Sequence, residues 1–336
     1  HAPSLVVVST FMLLRWNAIG SLATVMPSPL DNPLVEHGFL VSLFTLPVIL
    51  GHYVRLLVFP ISLSVDYGFN QIPVATSPGM GFLILLGVTG VAFNFRSKLK
   101  SVSPTVVAGA LILGLPLLLI ANPFMATGSI LSERYLYLPS IGLVLIVAAI
   151  AHRFRPAALD GSRQNLGWIL LGLVAVTGGV RTADRNLDWK NDETLFASAV
   201  RETPNSVRAN LNYAEVLSGR GDYVSASRHY LRVLQLKSDY PIVNLKLARA
   251  LQRSGQPNKA LHYYRTTTQL SPGLAEAWRG LGSLSLNLGD DKVAEEAYRS
   301  ALKLTPKNAS LHNQLGVIYR KRGDNVRAVA AYERAI

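Results

Sequence analysis

The chain has 336 residues, a formal net charge of +13 and no cysteine. The lack of cysteine excludes disulfides and thiolate metal sites. The basic surplus is dispersed and forms no Lys/Arg-rich run, which disfavours a nucleic-acid-binding protein.

The composition differs between two parts of the chain. Residues 1–181 carry ten Lys or Arg and five Asp or Glu, whereas residues 182–336 carry twenty-three and fifteen. The first part has the composition of a membrane region and the second that of a soluble domain. We therefore predict an all-α protein in which a multi-pass membrane helical region precedes an α-solenoid.

Apolar segments predict about five membrane spans in residues 1–181. The first, 5–14, is too short to span and is interpreted as the end of a helix whose start is missing. On this basis we interpret the chain as a fragment. The other segments approach the length of about 20 residues that a spanning helix needs. They are 79–95, 105–125, 135–151 and 164–180.

Residues 38–60 are also apolar, but Pro47, His52 and Arg55 interrupt them. Broken apolar segments are tolerated at membrane depth where they are buried in protein or line a cavity. We therefore predict a re-entrant or interfacial segment here.

The charges of the short loops predict the topology. Three basic residues lie in 96–104 and three in 152–163, whereas 61–78 and 126–134 hold one between them. The positive-inside rule places the first two loops in the cytoplasm. The other two loops and residues 182–336 then lie on the opposite face.

Several acidic and basic residues gather on that extracytoplasmic face. If 38–60 does not cross the membrane, the face holds Asp31, Asp66, Glu133 and Arg134. We regard Asp31 and Asp66 as candidate residues lining a site there.

The pair Glu133-Arg134 stands at the mouth of an apolar segment. A charge at bilayer depth costs roughly 2.5–3.5 kcal/mol on insertion scales, so such residues pair, snorkel or serve a site. Arginine is suited to a phosphate because its guanidinium is a fixed fork of donors. One interpretation is that Arg134 contacts a lipid phosphate. The alternative is that Arg134 snorkels while Tyr135 and Tyr137 form an interfacial aromatic belt.

Residues 207–336 repeat with a period of 34, in segments 207–240, 241–274, 275–308 and a truncated 309–336. The clearest segment has large, small and aromatic residues at the positions typical of tetratricopeptide repeats. These residues are Trp278, Leu281, Gly282, Ala294, Tyr298, Ala301 and Pro306. Residues 182–206 are predicted to be a connector with a partial repeat.

Such an array forms a superhelix with a groove lined by the first helix of each repeat. The candidate groove residues for binding an extended peptide are Asn210, Asn244, Arg279, Asn313 and Arg320. The alternative for each is an ordinary solvated face. Asn308-Ala309-Ser310 is a candidate N-glycosylation site. Its alternative role is a helix cap.

No sequence motif indicates a cofactor or a metal. The phosphate-cradling Gly-Lys-Ser/Thr loop, His-Glu-x-x-His and the nucleophile elbow are all absent. The seven histidines are scattered. We expect neither a cofactor nor a metal site.

An ordered set of motifs resembles the transmembrane and tetratricopeptide-repeat-containing protein family, over essentially the whole chain. The motifs precede the repeats and are Asp31-Asn-Pro33, Arg55-Leu-Leu-Val-Phe-Pro60, Asp66-Tyr67, Ile72-Pro73, Ser132-Glu-Arg-Tyr-Leu-Tyr-Leu-Pro-Ser-Ile-Gly142 and Trp189. Eukaryotic members of this family are similar to endoplasmic-reticulum O-mannosyltransferases of the GT-C membrane fold. The resemblance implies transfer of mannose from dolichyl phosphate to Ser or Thr of lumenal proteins. Bacterial proteins of the same layout imply instead the cytoplasmic membrane with extracytoplasmic repeats.

The resemblance also assigns roles to residues. It implies a lipid-phosphate donor contact at Arg134, with Glu133 and Arg55 as further candidates. In GT-C enzymes the catalytic acidic residue lies in the first extracytoplasmic loop, which this sequence does not contain, so the catalytic residue is unknown. The partners implied are the polyprenyl-phosphate donor, acceptor proteins and membrane lipids.

Two functions therefore compete. The first is an inverting glycosyltransferase in which a base deprotonates the acceptor and Arg134 offsets charge on the leaving phosphate. The second is a non-enzymatic membrane scaffold whose repeats recruit proteins. An acidic pair in the first extracytoplasmic loop would favour the enzyme.

Overall fold

The computed structural model describes residues 32–58, 71–79, 81–83, 86–87, 103–120, 133–153 and 161–336. Within these ranges the ordered elements are helices and no strand occurs, which confirms the all-α prediction. The chain divides into two compact units, 1–190 with 201–208 and 191–200 with 209–336.

The first unit opens with a short 3₁₀ turn, Pro33–Glu36, and a long helix, α1 (Phe39–Val58). The buried Asn32 caps the turn because its Oδ1 accepts the N–H of Leu34 at 3.1 Å. Proline at the first position suits such a start because its missing N–H is not needed there.

Helix α1 is continuous where we predicted an interruption. Pro47 lies inside it. The proline removes one backbone hydrogen bond of the helix, and neighbouring elements compensate for such a loss in apolar helices. The helix is therefore unbroken through Pro47. Its placement as a span or as a re-entrant or interfacial segment stays a prediction.

A small apolar core holds the described parts of the first unit together. Ile49 and Tyr53 of α1 are fully buried, and Ile72, Leu117 and Leu136 join them from other segments. A hydrogen bond also connects residues 71–79 to α1. The Thr45 hydroxyl donates to the carbonyl of Val41 at 2.8 Å and accepts the N–H of Ala75 at 3.0 Å.

Helices α2 (Pro104–Ile120) and α3 (Tyr137–Arg153) cross closely at two glycines. A Cβ on Gly142 would lie 2.5 Å from the carbonyl oxygen of Gly109. Contact of this kind between backbones requires glycine, and it is typical of helix packing in lipid. After α3 comes a 28-residue helix, α4 (Gly161–Asp188).

Among the described residues, one helix is long and apolar enough to cross a membrane by length and composition. It is Phe39–Leu57, with 19 residues and a mean hydropathy of 1.7. Two shorter apolar helices are Pro104–Leu117 and Tyr137–Ala149. The multi-pass arrangement stays a prediction. The predicted segment 5–14 and most of 79–95 lie outside the described residues.

The second unit is built of consecutive helix pairs. The first helices of the four pairs begin at Val207, Pro241, Ala275 and Ala309, at intervals of 34 residues. The helices are α5 (Asp192–Glu202), α6 (Val207–Gly219), α7 (Tyr223–Leu236), α8 (Pro241–Arg253), α9 (Pro257–Leu270), α10 (Ala275–Asn287), α11 (Asp291–Leu304), α12 (Ala309–Lys321) and α13 (Asn325–Glu333).

The same turn joins the two helices of every pair. Its glycine has a φ between +77° and +87°, in the left-handed region that favours glycine. The N–H of the following residue bonds a carbonyl of the preceding helix at 2.9 Å in each turn. The glycines are Gly221, Gly255, Gly289 and Gly323.

Small residues of the first helices make room for tyrosines of the second helices. A Cβ on Gly282 would lie 2.8 Å from the ring of Tyr298, and a Cβ on Gly316 would lie 2.5 Å from the ring of Tyr332. This contact fixes how closely the helices of one pair approach.

Candidate ligand-binding groove of the repeats

A pocket of about 560 Å³ opens along the first helices of three consecutive repeats. Its volume lies in the range typical of ligand sites, about 300–1,000 Å³. Its lining comes from α8, α10 and α12, with one tyrosine each from α9 and α11. The lining residues are Arg249, Gln252, Arg253, Tyr264, Glu276, Arg279, Gly280, Ser283, Tyr298, Ser310, Leu311 and Gln314.

Three guanidinium groups and one carboxylate face this pocket. Glu276 lies between two of the arginines, with a carboxylate oxygen 3.0 Å from Nη2 of Arg249 and the other oxygen 3.9 Å from Nη2 of Arg279. All three side chains are partly exposed. The arginines are therefore available to solvent and to a ligand.

The third guanidinium is held by the preceding repeat. Nη1 of Arg253 donates to the Tyr223 hydroxyl at 3.0 Å, and its guanidinium lies 5.2 Å from the centre of the Tyr223 ring. A stacked arginine loses less side-chain freedom when it binds a further group, so this contact pre-organises the pocket.

Buried tyrosines contribute to the pocket. The Tyr264 hydroxyl donates to Oε1 of Gln252 at 2.9 Å. Burial raises the pKa of Tyr264 and of Tyr298, so both hydroxyl groups stay protonated at neutral pH. The equivalent Tyr230 of the first repeat has its pKa raised by burial to about 12. The Tyr264 hydroxyl is thus a hydrogen-bond donor in the wall of the pocket.

Two of the predicted groove residues are buried. Asn210 is 1% exposed, and its Oδ1 lies 3.0 Å from Nδ1 of His229. Asn244 is 3% exposed, and its Nδ2 donates to the carbonyl of Tyr240 at 3.3 Å. Burial lowers the pKa of His229, with Arg228 adding to the effect. Because an amide oxygen only accepts, Nδ1 of His229 is the donor to Asn210. Both asparagines serve the packing of the repeats and expose almost no surface to a ligand, which corrects the prediction for them.

The other predicted groove residues differ from one another. Arg279 lines the pocket. Asn313 and Arg320 are exposed on α12 but are not among the lining residues. Sequence reasoning missed Arg249 and Arg253, whose spacing of four residues places both on one face of α8 and was the available indication.

The membrane-side candidates are placed only in part. Glu133 and Arg134 lie in a 3₁₀ turn, Glu133–Leu136, that leads into α3, and the structure does not describe their side chains. Arg55 is exposed in the last turn of α1. Asp31 and Asp66 lie outside the described residues. In the described part of the chain, no group of His, Asp or Glu is placed to hold a metal ion.

Asn308 is a helix cap in the structure. Its Oδ1 accepts the N–H of Leu311 at 3.3 Å and so starts α12. The amide nitrogen that carries a glycan is not used in this bond. The cap and a glycan are therefore compatible.

The repeats match a known family. The tetratricopeptide repeat model matches residues 245–309 and 292–336. Among solved structures, the crystal structure of MamA has a TM-score of 0.41 at 19% identity, covering 42% of this chain and 82% of that one. YrrB, described as a TPR protein with an unusual peptide-binding site, has a TM-score of 0.40 at 19% identity, covering 48% and 80%. The family match identifies tetratricopeptide repeats within residues 245–336, as the sequence predicts.

Its curated relatives are protein O-mannosyl-transferases. TMTC3 of Homo sapiens is 26% identical over 249 residues, 72% of this chain and 27% of that protein. TMTC1 of Mus musculus is 28% identical over 247 residues, which are 69% of this chain and 26% of that protein. Tmtc1 of Drosophila melanogaster is 37% identical over 139 residues, which are 40% of this chain and 16% of that protein. These matches confirm the resemblance to transmembrane and tetratricopeptide-repeat-containing proteins. The chain spans about a quarter of the length of the first two relatives.

Proposed function

We propose that this chain is part of a membrane glycosyltransferase that moves mannose from a polyprenyl phosphate, such as dolichyl phosphate, to Ser or Thr of extracytoplasmic proteins. The observation that carries the proposal is the match to protein O-mannosyl-transferases over 72% of the chain. That share is larger than residues 182–336, so the likeness includes membrane-side sequence as well as repeats.

The loop charges and the family resemblance support an extracytoplasmic location for the repeats. In a eukaryote the repeats lie in the lumen of the endoplasmic reticulum, and in a bacterium they lie outside the cytoplasmic membrane. Helix α1 supports membrane attachment because it is long and apolar enough to cross.

The proposed chemistry is displacement at the anomeric carbon of the sugar. A general base takes the proton of the acceptor hydroxyl, the new C–O bond forms, and the polyprenyl phosphate leaves. Arg134, with Arg55 as a further candidate, offsets the charge that develops on the departing phosphate. Glu133 orients Arg134 or balances its charge when the site is empty. The turn Glu133–Leu136 supports this role because it places Arg134 directly before the apolar helix α3. The residue that acts as base is unknown.

The repeats hold the acceptor protein. Their partly exposed arginines and open pocket support this role, because the groove of such an array is the surface that binds extended segments. The binding of acceptor raises its effective concentration near the membrane site.

The test uses the full-length enzyme with lipid-linked mannose and a Ser/Thr peptide. Arg134→Ala should lower the rate about 10²–10³-fold, the typical loss when a pre-organised charge partner is removed. Arg134→Lys should lose less, since an ammonium retains the charge but not the two-pronged contact. Arg153→Ala, an arginine expected on the cytoplasmic side, is the control.

Two results would contradict the proposal. Equal activity of Arg134→Ala and Arg153→Ala would return Arg134 to the role of an interfacial anchor. Absence of transfer by the full-length wild-type protein, with peptide binding intact, would favour the non-enzymatic scaffold.

A further inference from the structure

The pocket on the repeats carries an excess of positive charge. Its lining includes Arg249, Arg253 and Arg279 but only one acid, Glu276. The excess is concentrated in one concavity, where fields add more strongly than on a convex surface. An anionic group is therefore the favoured occupant.

The geometry around Glu276 shows how such a group is held. One of its oxygens approaches Arg249 and the other approaches Arg279, so a single carboxylate bridges α8 and α10. The longer of the two contacts, 3.9 Å, leaves the Arg279 guanidinium with unused donors on that side. Arg279 is consequently placed to take a carboxylate from outside, and Arg253 lines the same pocket.

The remaining polar groups fit a peptide better than a phosphate. Ser283, Ser310 and Gln314 also line the pocket. Hydroxyl and amide side chains both donate and accept, as the N–H and C=O groups of a peptide require. A fully ionised phosphate ester offers only acceptors. The pocket is open along consecutive first helices, which suits an extended chain.

We propose that this pocket selects an acidic segment of the protein bound by the repeats, with Arg249, Arg253 and Arg279 receiving an Asp or Glu side chain. The proposal rests on the proposed function only in that the repeats bind a polypeptide. The carboxylate adds to, or displaces, the internal Glu276, so Glu276 acts as a competitor that limits affinity.

The experiment measures binding of a fluorescein-labelled peptide of alternating glutamate and serine to the full chain in detergent, by fluorescence anisotropy. The matched probe has glutamine in place of every glutamate. We expect the acidic peptide to bind at least about tenfold more tightly, the loss that one charge-assisted hydrogen bond typically represents. Its affinity should fall as salt is raised, because the contact is electrostatic.

Two variants test the residues. The double variant Arg249→Gln with Arg279→Gln should bind the acidic peptide at least about tenfold more weakly than the wild type does. Arg232→Gln with Arg265→Gln is the control, since both arginines are exposed on second helices outside the pocket and the change in net charge is the same. Circular dichroism establishes that both proteins remain folded.

A third variant gives a result that a purely structural role would not produce. Glu276→Gln releases two guanidiniums from their internal partner, so the acidic peptide should bind more tightly than to the wild type. Weaker binding by this variant would contradict the proposal.

Two further outcomes would contradict the acidic-peptide proposal without contradicting the proposed glycosyltransferase function. Equal binding of the glutamate and glutamine peptides would show that the repeats bind polypeptide without acidic preference. Stabilisation by inorganic phosphate, with neither peptide bound, would make the pocket a phosphate site. Sugar transfer by the full-length enzyme is measured independently of both.

Discussion

A buried carboxylate joins the last two repeats, and its removal is a sharp test of how they are held together. Glu295 on α11 is 9% exposed. Its Oε1 accepts the Tyr319 hydroxyl at 3.1 Å and lies 2.8 Å from Arg299, and its Oε2 pairs with Arg322. Tyr319 and Arg322 belong to or follow α12, so the carboxylate links the two repeats.

The expected destabilisation by Glu295→Gln follows from the partners of the carboxylate. A hydrogen bond to a charged group contributes about 1.5–3 kcal/mol. Arg299 is half exposed, so its pair contributes only about 0–1 kcal/mol. The cost of burying the carboxylate offsets part of the rest. Glu295→Gln should therefore destabilise the contact between α11 and α12 by about 2 kcal/mol.

The assay is amide hydrogen exchange over α12, which reports the local free energy of opening. Glu296→Gln is the matched control because the neighbouring Glu296 is exposed and the charge change is identical. Protection of 309–321 should fall in Glu295→Gln and stay near the wild type in Glu296→Gln. Equal protection in the two variants would refute the assigned role of the carboxylate.

The pH dependence gives a second measurement on the same group. Burial raises the pKa of Glu295, but hydrogen bonds from Arg322 and Tyr319 and the nearby Arg charges outweigh burial and lower the pKa below its usual 4.5. A lowered pKa in the folded state stabilises the protein at pH above the unfolded value. This stabilisation is lost as pH falls below about 4.5 toward the folded pKa. The stability of the Glu295→Gln variant should therefore lack this decrease as pH falls.

The remaining predictions concern the membrane helices and the glycosylation site. Gly142→Leu should destabilise the α2–α3 crossing by about 1–3 kcal/mol or more, because its side chain would meet the Gly109 backbone. Gly114→Leu, with open space around it, is the control, and thermal unfolding in detergent is the measurement. If the repeats are lumenal, a eukaryotic host should glycosylate Asn308, giving a gel shift with glycosidase that Ser310→Ala abolishes. Digestion of the repeats from the cytosolic side of sealed microsomes would reverse the predicted topology.

The repeats were predictable from sequence because their determinants are local. A left-handed glycine such as Gly289 ends one helix, and a cap such as Asp290 begins the next by accepting the N–H of Val293 at 3.1 Å. Small residues and tyrosines recur with the same 34-residue interval, so neighbouring repeats repeat the same contacts. The approximate bounds of these helices therefore follow from the chain alone.

The continuity of α1 was decided by tertiary structure. Pro47 predicts a break by propensity, yet the core around Ile49 and Tyr53 and the bond from Ala75 to Thr45 hold the helix in one piece. The crossing at Gly109 and Gly142 is likewise a property of two helices in contact. Neither follows from the local pattern, because each depends on residues distant in sequence.

For the candidate pocket, too, part was predictable from the sequence and part depended on the tertiary structure. Sequence placed Asn210, Asn244 and Arg279 on first helices, where position within the repeat is a local property. Packing then buried both asparagines and left Arg279 beside Arg249 and Glu276. Exposure depends on which neighbouring helix covers a side chain, and charge pairing depends on distances between repeats. Those two quantities, and with them the positive pocket, exist only once the helices are assembled.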